Sequence, residues 1–149
     1  MGGGSEERVT DRKTLVDMLG RNRLFDELSK KDVLALIGSA KEVEHRADQM
    51  IIVEGNPGVG FHLILEGTAI VSTNARRLRT LGPGDTFGDI AVIDGGPRSA
   101  SVKAETRLRT LSLPPWEFKP LVLEHPQIAY KLLVKLCALL REAEKRPPV

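Results

Sequence analysis

Glycine punctuates residues 50–113 so regularly that few folds remain open to this chain. Residues 50–53 form a short run rich in β-branched side chains, and Glu54-Gly55-Asn56-Pro57-Gly58 turns it. Residues 61–65 read as a second strand, Gly67 interrupts, and residues 69–72 resume with Ile70 and Val71. Residues 73–76 turn the chain into 77–81, where Leu78 and Leu81 alternate with arginines, and Gly82-Pro83-Gly84-Asp85 closes that strand. Two more strands are predicted at 99–103 and 107–113. Glycine and proline supply the backbone angles that tight corners need. Short strands at this spacing favour a barrel or jelly roll over a βαβ unit.

Helical patterns flank the strands. Leu15, Val16, Met18 and Leu19 give one or two turns over residues 14–19, ended by Gly20. Ser29-Lys30-Lys31-Asp32 resembles a capping box, with Ser29 accepting from a first-turn N–H and Asp32 able to reach back. Val33, Leu34, Leu36 and Ile37 follow, stopping near residues 38–40. Pro114 and Pro115 suit a helix start leading into Trp116, Phe118, Leu121 and Val122, and Pro120 should keep that helix short or bent. His125-Pro126 resets the chain. Ile128, Leu132, Leu136, Leu139 and Ala143 then recur at helical spacing, widened by Leu133, Cys137 and Leu140. That stripe is broader than packing on one surface requires, and it admits docking on the barrel, contact with a ligand, or a homodimer through this C-terminal helix. The expected organisation is a flexible segment over 1–13, one domain over 14–146 and a tail over 147–149.

Composition narrows the function classes. With 149 residues and 41% hydrophobic content, the chain supports one core. Its 22 Lys and Arg are interspersed with 20 acidic residues for a net charge of +2, which is no basic stripe for nucleic acid. Cys137 is the only cysteine, so there is no disulfide framework, and a reducing, cytoplasmic setting is the natural expectation. No window reaches the roughly 18 uncharged apolar residues of a membrane span. The opening Met1-Gly2-Gly3-Gly4-Ser5 lacks the apolar run of a secretory signal, and a Gly-rich linker is a plainer reading of Gly2 than myristoylation. His45, His62 and His125 have no ligand spacing, and a strand histidine such as His62 is expected to be a hydrogen-bonded structural or surface residue. Ser72 and Ser99 have no evident histidine and acid partner. No enzyme activity, metal or cofactor is expected.

The segment with chemical promise runs from Phe87 to Ala104. Residues 87–93 read as a one-to-two-turn helix, followed by Pro97-Arg98-Ser99-Ala100-Ser101-Val102-Lys103-Ala104. Gly88 lets backbone approach a ligand closely, and free N–H groups at a helix start face an anion. Arg98 can add two charge-assisted hydrogen bonds to phosphate oxygens, and the small Ser99, Ala100 and Ser101 leave room for that contact. The alternative at this level is a surface loop, with Gly88 at a tight corner and Arg98 in a salt bridge.

Phe87-Gly88-Asp89-Ile90-Ala91, then six residues, then Arg98-Ser99-Ala100-Ser101-Val102, resembles the phosphate-binding cassette of the cyclic-nucleotide-binding domain family. That family includes catabolite activator proteins, kinase regulatory subunits and cyclic-nucleotide-gated channels. The resemblance runs over residues 25–145 and takes in Glu54-Gly55 with Gly58, Gly67, and Leu81-Gly82-Pro83-Gly84-Asp85. It implies a mainly β fold: an eight-stranded, jelly-roll-like β-roll (double-stranded β-helix) with N-terminal helices and a C-terminal lid helix. It further implies cAMP or cGMP as ligand, with Arg98 on the cyclic phosphate. Gly88, Ile90 or Ala91, and Ala100 would lie along phosphate and ribose, and Ser99 would donate a hydrogen bond. Ser101 sits where some members carry a threonine that contacts guanine. Asp89 departs from the glutamate that accepts from the ribose 2′-hydroxyl. Either the backbone closes the missing methylene, a water bridges it, or ribose affinity drops. Candidate base or lid contacts are Val71, Leu78 and Leu81 on the roll and Leu133, Leu136 and Leu140 on the last helix; Arg77 and Arg79 could reach the base or phosphate, although solvent exposure is the commoner fate of such alternating arginines.

The resemblance implies a sensor that couples occupancy to the helix over 126–145 and reports to an unidentified effector. Many relatives join this roll to a helix-turn-helix module, but the chain ends at Val149, so no direct nucleic-acid contact is expected. The competing reading is a degenerate roll serving as an interaction or dimerisation module. An open pocket with Arg98 and Gly88 converging distinguishes the sensor from that module.

Overall fold

The computed structural model describes residues 10–55, 60–89 and 91–145, with the side chain of Ala91 left out. Among the described residues two helices come first, α1 (Arg12–Gly20) and α2 (Lys30–Gly38). Eight strands follow among the described residues: β1 (Lys41–His45), β2 (Met50–Ile52), β3 (Phe61–Glu66), β4 (Ala69–Thr73), β5 (Arg76–Leu81), β6 (Thr86–Phe87), β7 (Ser101–Ala104) and β8 (Leu108–Leu113). A single turn, α3 (Ala91–Asp94), lies between β6 and β7, and α4 (Pro115–Glu124) and α5 (Pro126–Ala143) follow β8. The strands form two antiparallel four-stranded sheets, ordered β1-β8-β3-β6 and β2-β7-β4-β5, which is the mainly β roll with flanking helices that was expected.

Strand alternation explains why β3 is buried on both faces. Phe61, Leu63 and Leu65 join Leu111 and Leu113 of β8 in a cluster with Leu15, Leu19, Phe25, Leu36, Phe118, Leu121, Ile128 and Leu132 of the helical layer. Phe25 meets Phe61 edge-on at 5.3 Å. Ile64 faces the other way, into the roll, with Ile52, Ala69, Leu81, Phe87, Val102, Ala104 and Leu108. The first sheet is therefore the wall between the helices and the roll interior.

Several boundaries differ from the sequence reading. Helix α1 takes in Arg12 and Lys13, two residues before the expected start, because Asp11 caps it by accepting from the Thr14 N–H at 2.8 Å. Ser29 caps α2 as expected, accepting from the Asp32 N–H at 3.1 Å, but the Asp32 carboxylate turns to Gln127 (3.3 Å) and Lys131 (3.2 Å) of α5. Strand β1 has no apolar alternation to announce it, yet it pairs with β8 from Lys41↔Ser112 to His45↔Leu108. Arg109 on β8 is held there by ion pairs to Glu42 and Glu66. The helix expected over residues 87–93 shrinks to α3, because Phe87 pairs with His62 in the sheet and Gly88 takes φ +82°, outside the helical region. The turn at Asn56-Pro57-Gly58 and the segments 1–9 and 146–149 fall outside the described residues. No helix among the described residues is long and apolar enough to cross a membrane.

Candidate functional site

A cleft of about 690 Å³ opens where the second sheet faces the β6–β7 connection. Its apolar wall is Ile52, Val71, Leu81 and Val102. Register accounts for the wall: Ala69 pairs with Leu81 and Val71 with Arg79, so alternate residues of β4 and β5 face inward. Arg79 thereby enters the cleft lining while remaining exposed, the first of the two places the sequence left open for it. The opposite wall is Thr86, Phe87, Gly88 and Asp89, then Asp94 and residues 96–100, with Arg23 reaching in from the turn after α1.

Gly88 and Arg98 lie side by side on the cleft wall. Gly88 packs so tightly that an added Cβ would lie 2.2 Å from the Gly60 carbonyl oxygen and 2.7 Å from Arg98 Nη1, and its positive φ independently favours glycine. Arg98 is only 7% exposed. Its Nη2 donates to the Gly60 carbonyl at 2.8 Å, whereas its buried Nε–H meets no acceptor among the described residues. No described carboxylate lies within ion-pair distance; burial lowers the Arg98 pKa, and the charge of Asp94 partly opposes that shift. A largely buried guanidinium without a counter-ion is costly. An anion in the cleft would relieve that cost.

The other expected residues divide. Asp89, Ser99 and Ala100 line the cleft with Gly88 and Arg98, as do Val71 and Leu81. Asp89 Oδ2 accepts from Asn22 Nδ2 at 3.1 Å and Thr86 Oγ1 at 3.2 Å. Ser101 is not on the cleft wall; its Oγ accepts from the Glu54 N–H at 2.8 Å. Ile90 lies outside the described residues, and of Ala91 only the backbone, at the start of α3, is described. The helix that follows Gly88 is a single turn, Ala91–Asp94, and the cleft wall here is the loop backbone around Gly88 together with Arg98. Leu78 points away from the cleft, opposite in strand alternation to Arg79 and Leu81. Leu133 and Leu140 are exposed on α5 and Leu136 packs on the helical cluster, so the expected lid contacts are absent from the cleft lining.

Behind the cassette lies a ring stack. His62 stacks on Phe87 at 4.8 Å, His45 meets His62 edge-on at 5.8 Å, and His62 Nδ1 bonds Thr110 Oγ1 at 3.0 Å. Burial, reinforced by the His45 and Arg98 charges, pushes the His62 pKa down to about 3. His62 is thus a neutral, hydrogen-bonded core residue beneath the site. Asn22, Arg23 and Thr86 were missed by sequence reasoning. Nothing local marks Asn22, which meets Asp89 across 67 residues of chain.

The family model for the cyclic nucleotide-binding domain matches residues 42–125, which include both sheets apart from Lys41 and the whole cleft wall apart from Arg23. The chain belongs to the cyclic nucleotide-binding domain family. The CRP-like cAMP-activated global transcriptional regulator of Mycobacterium tuberculosis is 26% identical over 130 residues, covering 84% of this chain and 58% of the relative. The chain thus spans less than two thirds of the curated relatives it matches. Among solved structures, the N-terminal domain of a transcriptional regulator from Streptomyces coelicolor A3(2) superposes with a TM-score of 0.80 at 27% identity, covering 89% of this chain and 99% of that one. The regulatory domain of Toxoplasma gondii PKA with cAMP gives a TM-score of 0.68 at 26% identity, covering 75% of this chain and 46% of that one. These similar proteins are regulators by name. Two of them are transcriptional regulators, so the expectation of no direct nucleic-acid contact finds no support in them.

Proposed function

We propose that this cyclic nucleotide-binding domain is a sensor for cAMP and/or cGMP that couples occupancy of the cleft to α5 and reports to an effector. One observation carries the reading. Arg98, the cassette arginine, is buried at the cleft with no described carboxylate partner and an unmet Nε–H. The cyclic phosphate supplies both the charge and the acceptor, at a place where Gly88 leaves no room for a side chain. Asp89 faces the ribose, and Ile52, Val71, Leu81 and Val102 offer the base an apolar wall. The names of the Mycobacterium and Toxoplasma relatives favour cAMP. Ser101, turned to Glu54, gives no added support to guanine. The open cleft and inward Arg98 favour the sensor over a degenerate interaction module.

For partners, the outer face of α5 supports a second copy of the chain, since Tyr130, Leu133, Val134 and Leu140 are all exposed apolar side chains at helical spacing. The lone cysteine supports a reducing, cytoplasmic setting.

Calorimetric titration of protein stripped of nucleotide, with cAMP and cGMP, tests the reading. Saturable binding is expected at micromolar concentration or tighter. Each charge-assisted hydrogen bond contributes about 1.5–3 kcal/mol; losing two through Arg98→Ala should weaken binding about a hundredfold or more. Absence of heat from folded, ligand-free protein would turn attention to the exposed face of α5 and the interaction module.

A further inference from the structure

The Asp89 carboxylate on the cleft wall is held from outside the β-roll. Asn22 lies in the turn between α1 and α2, and its Nδ2 donates to Asp89 Oδ2 at 3.1 Å and to Thr86 Oγ1 at 2.9 Å. The orientation of this amide is fixed, because Oδ1 accepts from the Leu24 N–H at 2.8 Å. The Asn22 backbone is fixed as well: its N–H donates to the Leu19 carbonyl at 3.1 Å, and its carbonyl accepts from the Phe25 N–H at 3.0 Å. Phe25 is itself fully buried. Asn22 is therefore a buried, satisfied node whose free end grips one oxygen of Asp89. Thr86 Oγ1 donates to that same oxygen at 3.2 Å, while no described residue hydrogen-bonds to Oδ1.

We propose that Asn22 is a positioning residue for ribose recognition: it clamps Asp89 Oδ2 so that Oδ1 is presented to the 2′-hydroxyl of the nucleotide. The proposal rests on the sensor reading and deepens it. A carboxylate offers about four acceptor directions, and two donors on one oxygen leave the other for ligand. Aspartate has one rotatable bond fewer than glutamate, and a clamped aspartate has little rotational freedom left to lose on binding. The shorter side chain and the clamp therefore belong together, with pre-organisation offsetting reach. The ribose pocket accordingly extends into the N-terminal helical layer, beyond the cassette.

The test compares cAMP with 2′-deoxy-cAMP by calorimetry on the parent protein, Asn22→Ala and Asn22→Ser. Serine can still accept from the Leu24 N–H but is too short to reach Asp89, so it guards against loss of fold in the alanine variant; circular dichroism checks both. In the parent, 2′-deoxy-cAMP should bind about tenfold or more weakly than cAMP, the value of one hydrogen bond to a charged group. In a folded variant that ratio should fall below about threefold, with the affinity for 2′-deoxy-cAMP little changed. Asn22 acting only as structure would weaken both nucleotides alike and leave the ratio intact, and that result overturns the proposal while sparing the sensor. A parent that binds cAMP without regard to the 2′-hydroxyl also overturns it. A parent that binds neither nucleotide overturns the sensor reading, and this inference falls with it.

Discussion

Gly88 shows how much a single hydrogen atom in place of a side chain can decide. A methyl group there collides with backbone, the Gly60 carbonyl, which cannot swing aside as a side-chain tip can. The positive φ adds a strain of about 1–3 kcal/mol for a non-glycine residue. Gly88→Ala should therefore destabilise the domain by about 2 kcal/mol or more in urea denaturation and also weaken nucleotide binding, because Arg98 Nη1 lies 2.7 Å from the new Cβ position. His62 makes a second prediction at this scale. Its folded pKa is about 3 against an ordinary 6.5, so between those values the unfolded chain binds the extra proton and folding weakens as pH falls. The neutral form is fully favoured above pH 6.5, and the slope below it is about 1.4 kcal/mol per pH unit. Denaturation from pH 7 to pH 4 should show this acid loss, and His62→Gln should flatten it if the variant keeps the Thr110 bond.

At the scale of elements, the chain divides by what its residues can announce locally. β3, β4 and the C-terminal helix were legible because apolar periodicity and glycine corners mark them without reference to anything distant. β1 was not, since four of the five residues in Lys-Glu-Val-Glu-His are polar or charged and its place is set by β8, more than sixty residues on. The cassette residues Gly88, Asp89, Arg98, Ser99 and Ala100 were legible by resemblance, and the structure gathers them on one cleft. The expected lid residues do not line the cleft here, and a wide apolar stripe says that a helix is buried on one side but not against what. Ile128 and Leu132 dock α5 on the helical layer instead. Magnitudes identify what holds it there. The Lys135–Asp26 pair is partly solvated and worth at most about 1 kcal/mol, whereas truncating a buried leucine costs about 2–5 kcal/mol. Leu132→Ala should accordingly destabilise the domain several-fold more than Lys135→Ala in paired denaturation curves.

For the whole molecule, the first sheet separates a ligand-facing roll from a helical layer, and few groups cross between them. Val92 of α3 packs into the helical cluster beside the cassette, Asn22 reaches from the helical layer to Asp89, and Asp32 and Asp26 tie that layer to α5 through Lys131 and Lys135. In the proposed sensor these contacts would carry occupancy of the cleft to α5, whose outer face has the exposed Leu133 and Leu140. Light scattering should report a dimer for the parent and a monomer for a Leu133→Glu, Leu140→Glu variant, with nucleotide affinity retained in both; a monomeric parent at high concentration removes the dimer from this account. The central claim is that a cyclic phosphate completes the buried Arg98 guanidinium, and the arginine Nε–H nuclear magnetic resonance signal reads that event directly. With the Arg98 signal assigned by its loss in Arg98→Lys, saturating cAMP should move it downfield as the unmet donor gains an acceptor. An Arg98 Nε–H signal that stays in place while nucleotide is bound would contradict the account.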